Sequence, residues 1–304
     1  MKRTLLGALM GLSTAASLGL SGQVASAQAV PALPAKPAPG GKVQVTSHVV
    51  TAAEKATTSY WTAARMKAAT PLRSRQSSGA TPNTPIPTAT HFGGDKRVGT
   101  LFSNNGSGPH YCTASVVNTG QRNTLLTAAH CLYNPSKHTF NKNVLYVPQY
   151  TPGRFPYGAW PVSFMAVDKR WASHGDVDLD FGFAKVVQPV QARTGGFRLA
   201  INQGYTNQVV VYGYPDKKDN PTDRPIYCYA TTHKFPPSKY QLYFDCKGYY
   251  GGVSGGPWVK TYKGQQWVMG VIGGYQQGGA ADWRSYTSVF DSDIMNLYRW
   301  TTSH

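Results

Sequence analysis

The sequence predicts an all-β domain, a barrel or a sandwich, over residues 91–304, and three observations carry that prediction. Short runs rich in Val, Ile, Tyr, Phe and Thr, among them VGTLF, NTLLTAA, NVLYVPQY, QVVVYGY, YQLYFDC and QQWVMGVIGG, are separated by Gly, Pro and Asn. That is the texture of many short strands joined by turns. No helical stretches alternate with these runs, which sets aside the layered α/β classes. The one good helix candidate of the region is terminal, around residues 291–300 (DSDIMNLYRW), where Asp291 or Ser292 can cap the first turn.

The elements before residue 91 have a different character. Lys2 and Arg3 precede an apolar run rich in Leu, Ala and Gly, which ends at Ala25-Ser26-Ala27. This predicts a secretory signal peptide over 1–27. The run is too short, and too often broken by Ser, Thr and Gly, to supply the roughly 20 apolar residues of a membrane span. No later stretch is long and apolar enough either, so the expectation is a secreted, extracellular protein without a membrane partner. Residues 28–90 read as a pro-segment and linker. The Pro, Ala and Gly of 28–46 predict an extended chain. Residues 51–70 (TAAEKATTSYWTAARMKAAT) open with Thr51 three residues before Glu54 and stop at Pro71, which predicts one helix. The Pro, Ser and Thr of 71–90 predict an exposed, cleavable linker.

Export to an oxidising compartment, four cysteines and the absence of a C-x-x-C pair together predict two disulfides, with three pairings open. Net charge is +17, and from residue 91 onward 21 Lys and Arg face 12 Asp and no Glu, leaving +9. These charges are scattered, without a basic run or a recognition motif. They therefore point to solubility and not to specific nucleic-acid binding.

Chemistry concentrates at 251–258 (GGVSGGPW), where Gly252-Val253-Ser254-Gly255-Gly256 satisfies G-x-S-x-G. In an α/β-hydrolase the acid and the histidine follow such a serine. Here the only histidine after Ser254 is His304, the last residue. That reading is therefore set aside. Acyl transfer by a serine needs a base, a carboxylate to orient the base, and donors for the developing oxyanion. His130 stands in LLTAAHCL beside Cys131, and Asp180 stands in DVDLDFGFAKV. In the latter, apolar residues alternate with Asp176, Asp178, Asp180 and Gly182, which predicts a strand with its carboxylates on one face and makes Asp178 the alternative acid. The same run fails as a calcium loop, because Phe181 occupies the glycine position and Val187 the glutamate position. His110, His138, His174 and His233 lack ligand spacing and are expected at the surface, while Ser115 in CTAS reads as structural. No metal or other cofactor is called for.

LTAAHC, then Asp180-Phe-Gly-Phe-Ala-Lys185-Val, then Gly252-Val-Ser254-Gly-Gly-Pro257 occur in the order His, Asp, Ser. Together they resemble the motifs of the chymotrypsin/trypsin-like serine peptidases, over about residues 92–299. The resemblance implies two six-stranded antiparallel β-barrels with the active site between them, a C-terminal helix, and a monomeric endopeptidase acting on polypeptide substrates. It implies His130 as general base and then acid, Asp180 as its orienting carboxylate, Ser254 as nucleophile, and the N–H groups of Gly252 and Ser254 as oxyanion hole. It also implies a Cys112–Cys131 disulfide, which leaves Cys228 with Cys246.

For the substrate, residues 270–279 resemble the strand that pairs with the peptide backbone, with Gly273 and Gly274 where the peptide lies. Gly248, six residues before the nucleophile, stands at the pocket floor, with Asp245 able to enter the pocket if the loop is offset. Ile272 stands where glutamate-specific bacterial relatives carry histidine, so an apolar or small side chain is expected. The segment 59–71 resembles pro-regions of secreted bacterial members, which implies an inhibitor or chaperone role for this pro-segment. Val253 departs from the family, which usually has an aspartate there to receive the new N-terminal ammonium. Valine cannot pair with an ammonium, so the oxyanion hole is expected to be held by packing and the pro-segment to act by steric blocking. The rival function on the same fold is a non-catalytic binding protein that uses its basic surface.

Overall fold

The computed structural model describes residues 43–50, 57–73, 85–217 and 223–304. The predicted signal peptide, the linker up to residue 42, the Thr51–Glu54 capping box and residues 74–84 lie outside them.

Six antiparallel strands close a first barrel: Val98–Asn104, Pro109–Val116, Thr124–Thr127, Lys142–Pro148, Trp160–Asp168 and Gly182–Val186. Closure comes from Trp160 and Pro161, which pair with Tyr146 and Leu145 while the rest of their strand pairs with Gly182–Val186. These strands are near-continuous apolar or small-residue runs because both of their faces are covered, and Thr124–Thr127 and Gly182–Val186 are buried throughout. Leu101, Val116, Leu126, Val147 and Phe183 fill the core.

The second half is built from two sheets. One contains Arg198–Leu199, Gln265–Val271, Pro257–Tyr262, Gln208–Gly213, Ile226–Thr231 and Thr90–His91; the other contains His233–Lys234, Gln241–Asp245 and Arg284–Ser288. Gln208–Gly213 alternates in and out of its core, sending Val209 and Val211 inward toward Phe244, Tyr249 and Trp258. The sheets are joined where Val271 N–H donates to Thr287 Oγ1 (3.0 Å) and Gly273 N–H to the Tyr286 carbonyl (3.0 Å). The predicted terminal helix spans Ser292–Ser303, with the Asp291 carboxylate accepting Asp293 N–H. It packs Ile294 and Leu297 onto the first barrel's core.

The N-terminal region departs from its predicted form. Val45 and Thr46 belong to a strand, Val45–Val49, that pairs with Trp160–Asp168. The single predicted helix is two, Thr57–Tyr60 and Ala63–Ala68. The break has a physical cause: Trp61 turns into the barrel, 4% exposed, and its Nε1–H donates to the Asn143 carbonyl (2.6 Å). Thr62 then starts a new helix by accepting Arg65 N–H on its hydroxyl (3.1 Å). Within the predicted linker, Thr70 and Pro71 form a parallel pair with His110 and Tyr111. Leu72 N–H continues the contact to the Tyr111 carbonyl (3.1 Å), while Ala89 N–H and the Pro87 carbonyl pair with Lys247 (2.9 Å each).

Candidate active site

Ser254 is positioned by Thr113, on the strand Pro109–Val116 of the first barrel. Thr113 N–H donates to the Ser254 carbonyl (2.8 Å), its hydroxyl donates to the Gly252 carbonyl (3.0 Å), and the same hydroxyl accepts Tyr214 N–H (3.0 Å). One threonine thus ties the turn of the second half to the first barrel. Gly252 has φ 90°, and a Cβ there would run into the Tyr111 ring and the Tyr214 carbonyl, so both conformation and space demand glycine. Burial, with Asp216 nearby, pushes the Tyr111 phenol well above its ordinary pKa; it stays protonated and donates to the Pro215 carbonyl (3.1 Å).

His130 sits in a single 3₁₀ turn, Ala129–Cys131, directly after the strand Thr124–Thr127. A disulfide between Cys112 and Cys131 staples this turn to the strand that carries Thr113, and Asn141 Nδ2–H donates to the Cys131 carbonyl (2.9 Å). The second disulfide joins Cys228 and Cys246.

The carboxylate that reaches His130 is Asp180, fully buried. Three N–H groups converge on it: His130 N–H to Oδ1 (3.0 Å), His130 Nδ1–H to Oδ2 (2.8 Å) and Gly274 N–H to Oδ2 (2.9 Å). An ionised carboxylate only accepts, so Nδ1 carries the proton and Nε2 of the neutral ring is the basic nitrogen. Nε2 is buried and has no partner among the described residues. His130 and Ser254 are 6% and 2% exposed.

The predicted strand over 176–180 is instead a 3₁₀ turn, Val177–Leu179, and the strand begins at Gly182. Asp176 folds back to accept Asp178 N–H (3.1 Å), and Asp178 accepts from Gln241 Nε2 (2.7 Å). Local capping by a short acidic side chain overrides the two-residue alternation, so the three carboxylates do not share a face.

Among the described residues, neither Gly252 N–H nor Ser254 N–H has an acceptor. Val253, between them, is fully buried in the second core, and a Cβ on Gly213 would run into its side chain. Its carbonyl accepts Gly256 N–H (2.8 Å), and Ile272 brackets the turn by accepting Gly255 N–H (2.7 Å) and donating to the Gly256 carbonyl (2.9 Å).

The substrate-side residues have mixed fates. Ile272 points into the second core and not into a pocket. Gly273 and Gly274 flank the site, but their N–H groups are engaged by Tyr286 and Asp180. Gly273 presents a carbonyl without a donor among the described residues. Gly248, at φ 98°, donates its N–H to Asp282 Oδ2 (3.3 Å), and Asp245 is held by Arg284 through two bonds (2.6 and 2.7 Å). Of the other histidines, His138, His174 and His233 are exposed and His110 lies 3.2 Å from Thr70 Oγ1; Ser115 is fully buried. Cys112, His130 and Cys131 form the one cluster of potential metal ligands among the described residues, and the disulfide removes both thiols.

The N-terminal segment reaches this site. Leu72 and Arg73 border a cavity of 210 Å³ together with His130, Tyr133, Asn141 and Gln277. A Cβ on Gly251 would run into the Arg73 carbonyl. The segment therefore lies beside both His130 and the Ser254 turn.

Sequence reasoning missed Thr113 and Gln241. Thr113 and Gln241 act through bonds to segments 139 and 63 residues away, so they carry no local signature.

No family model matches the chain, and no curated protein does. Solved structures do match. A protease, Anisep, from Arthrobacter nicotinovorans is similar with a TM-score of 0.64 at 23% identity, over 71% of this chain and 100% of that one. A thermostable serine protease, AL20, from an extremophilic microorganism gives 0.62 at 24%, over 69% and 98%. A Glu endopeptidase in complex with MPD gives 0.59 at 14%, over 72% and 98%. At these identities the likeness establishes the fold, which is that of chymotrypsin-like serine proteases.

Proposed function

We propose that the chain is a secreted serine endopeptidase that hydrolyses polypeptides through Ser254, His130 and Asp180, and that its N-terminal segment blocks the cleft until removed. The observation that carries this reading is the His130–Asp180 pair: a buried carboxylate fixes the imidazole so that an unpartnered basic Nε2 remains, on a fold shared with serine proteases. His130 Nε2 takes the Ser254 hydroxyl proton as Oγ attacks the scissile carbonyl, and Asp180 stabilises the resulting imidazolium. The N–H groups of Gly252 and Ser254 receive the oxyanion; one such donor contributes about 10²–10³ in rate. His130 then protonates the departing amine and next deprotonates the water that hydrolyses the acyl-enzyme. The Gly273 carbonyl is available to an N–H of the bound peptide.

Secretion is supported by the N-terminal leader pattern and by two disulfides that engage all four cysteines. Blocking by the N-terminal segment is supported by the position of Leu72 and Arg73 beside His130 and Gly251. The buried Val253 supports an oxyanion turn shaped by packing. A serine-directed fluorophosphonate applied to the protein freed of its N-terminal segment tests the reading: the adduct is expected on Ser254 and is expected to disappear in His130→Ala. Folded protein that takes up no label at Ser254 contradicts it and favours a binding role.

A further inference from the structure

The Ser254 turn keeps two backbone donors unpaired in a buried place. Gly252 N–H and Ser254 N–H have no acceptor among the described residues, and Gly252, at φ 90°, carries no side chain to resist rotation. Buried backbone groups are ordinarily paired, so such a turn persists only if its other groups hold it in place. Its three successive carbonyls are all held. Those of Val253 and Ser254 accept backbone donors, Gly256 N–H (2.8 Å) and Thr113 N–H (2.8 Å), which any residue except proline would supply. The Gly252 carbonyl depends on a side chain, the Thr113 hydroxyl (3.0 Å).

The direction of that bond is fixed. A backbone N–H only donates, so the Tyr214 N–H that meets Thr113 Oγ1 (3.0 Å) takes up a lone pair and leaves the hydroxyl proton for the Gly252 carbonyl. Thr113 is fully buried, and its own carbonyl accepts from Thr127 Oγ1 (2.8 Å), on the strand that leads to His130. The Val253 side chain fills the second core but offers no donor to the carbonyl before it. We propose that Thr113 is the positioning residue of the oxyanion turn. From the first barrel its hydroxyl locks the Gly252–Val253 peptide, and so keeps the Gly252 and Ser254 N–H groups aimed at the point where negative charge develops. It is a neutral lock, in a turn where Val253 provides no charged one. The inference rests on the catalytic reading of Ser254 and extends it to what preserves the geometry of the donors.

The test follows hydrolysis of p-nitrophenyl acetate by protein folded as the full-length chain and then freed of its N-terminal segment, with active sites counted by complete fluorophosphonate labelling of Ser254. Thr113→Val keeps the backbone N–H and the shape of the side chain but removes the hydroxyl. Its kcat per labelled site is expected to fall about 10–100-fold with KM within about twofold, because the lost interaction acts only as charge develops on the substrate oxygen. Thr113→Ser keeps the hydroxyl and is expected to retain kcat within about threefold, which holds the proposal to account even if Thr113→Val does not fold. A threonine with a merely structural role would lower Tm and the number of labelled sites, and leave kcat per labelled site unchanged. A Thr113→Val loss below about tenfold, a loss carried by KM, or a Thr113→Ser protein outside about threefold would overturn the proposal. Absence of any label at Ser254 in the wild type would instead overturn the catalytic reading, and this inference with it.

Discussion

Asp180 decides what His130 can do. Three N–H donors converge on its carboxylate, and an asparagine offers one oxygen and an amide that itself donates. Asp180→Asn therefore leaves a donor facing a donor and favours the wrong imidazole tautomer. On the proposed mechanism kcat/KM is expected to fall about 10⁴-fold while Tm changes little; a loss below tenfold would contradict the role given to Asp180. Val253 is a second residue whose identity has a physical consequence. It is fully buried and fills space against Gly213. Val253→Asp would bury an unpaired carboxylate and is expected to destabilise the protein by about 3–5 kcal/mol in chemical denaturation, with no gain in activity. At this scale His130 and Ser254 were legible because each lies in a short string whose chemistry is local. Thr113 was not, because its partners come from distant parts of the chain.

The element that most changes the picture is the N-terminal segment 57–73. The capping pattern at Thr51 and the stop at Pro71 predicted one helix, but Trp61 gains more by packing on Phe102 and bonding to Asn143 than by continuing the turn. The two resulting short helices deliver Thr70–Arg73 to the strand Pro109–Val116. Trp61 and Met66 anchor this arrangement in the first barrel's core. Trp61→Ala is expected to weaken the anchor by about 3–5 kcal/mol. If the segment blocks the cleft, full-length Trp61→Ala protein should react faster with a small fluorophosphonate than the wild type; equal rates would contradict the blocking role. The 176–180 turn teaches a related lesson. An alternating Asp-apolar string is ambiguous between a strand and a capped turn, and the side chain of Asp176 selects the turn.

For the molecule as a whole, the all-β class was readable because strand-forming runs and turn residues recur at short spacing, and the terminal helix because its cap and apolar spacing agree. The split of the second half into two sheets was not readable, since it depends on bonds such as Val271 to Thr287 that join distant strands. Neither was the participation of residues before 91 in the sheets: Val45 and Thr46 read as the end of the Pro-rich stretch until Trp160–Asp168 offers the strand Val45–Val49 an edge. The central claim is that the two halves meet to make Ser254 a nucleophile served by His130. The most direct measurement is acid quenching of a reaction with an activated peptide ester, followed by peptide mapping of the protein by mass spectrometry. A substrate-derived acyl group on Ser254 in the wild type, and none in His130→Ala, is the predicted result. Turnover of the ester with no acyl group on Ser254, or an equal adduct in His130→Ala, would contradict it.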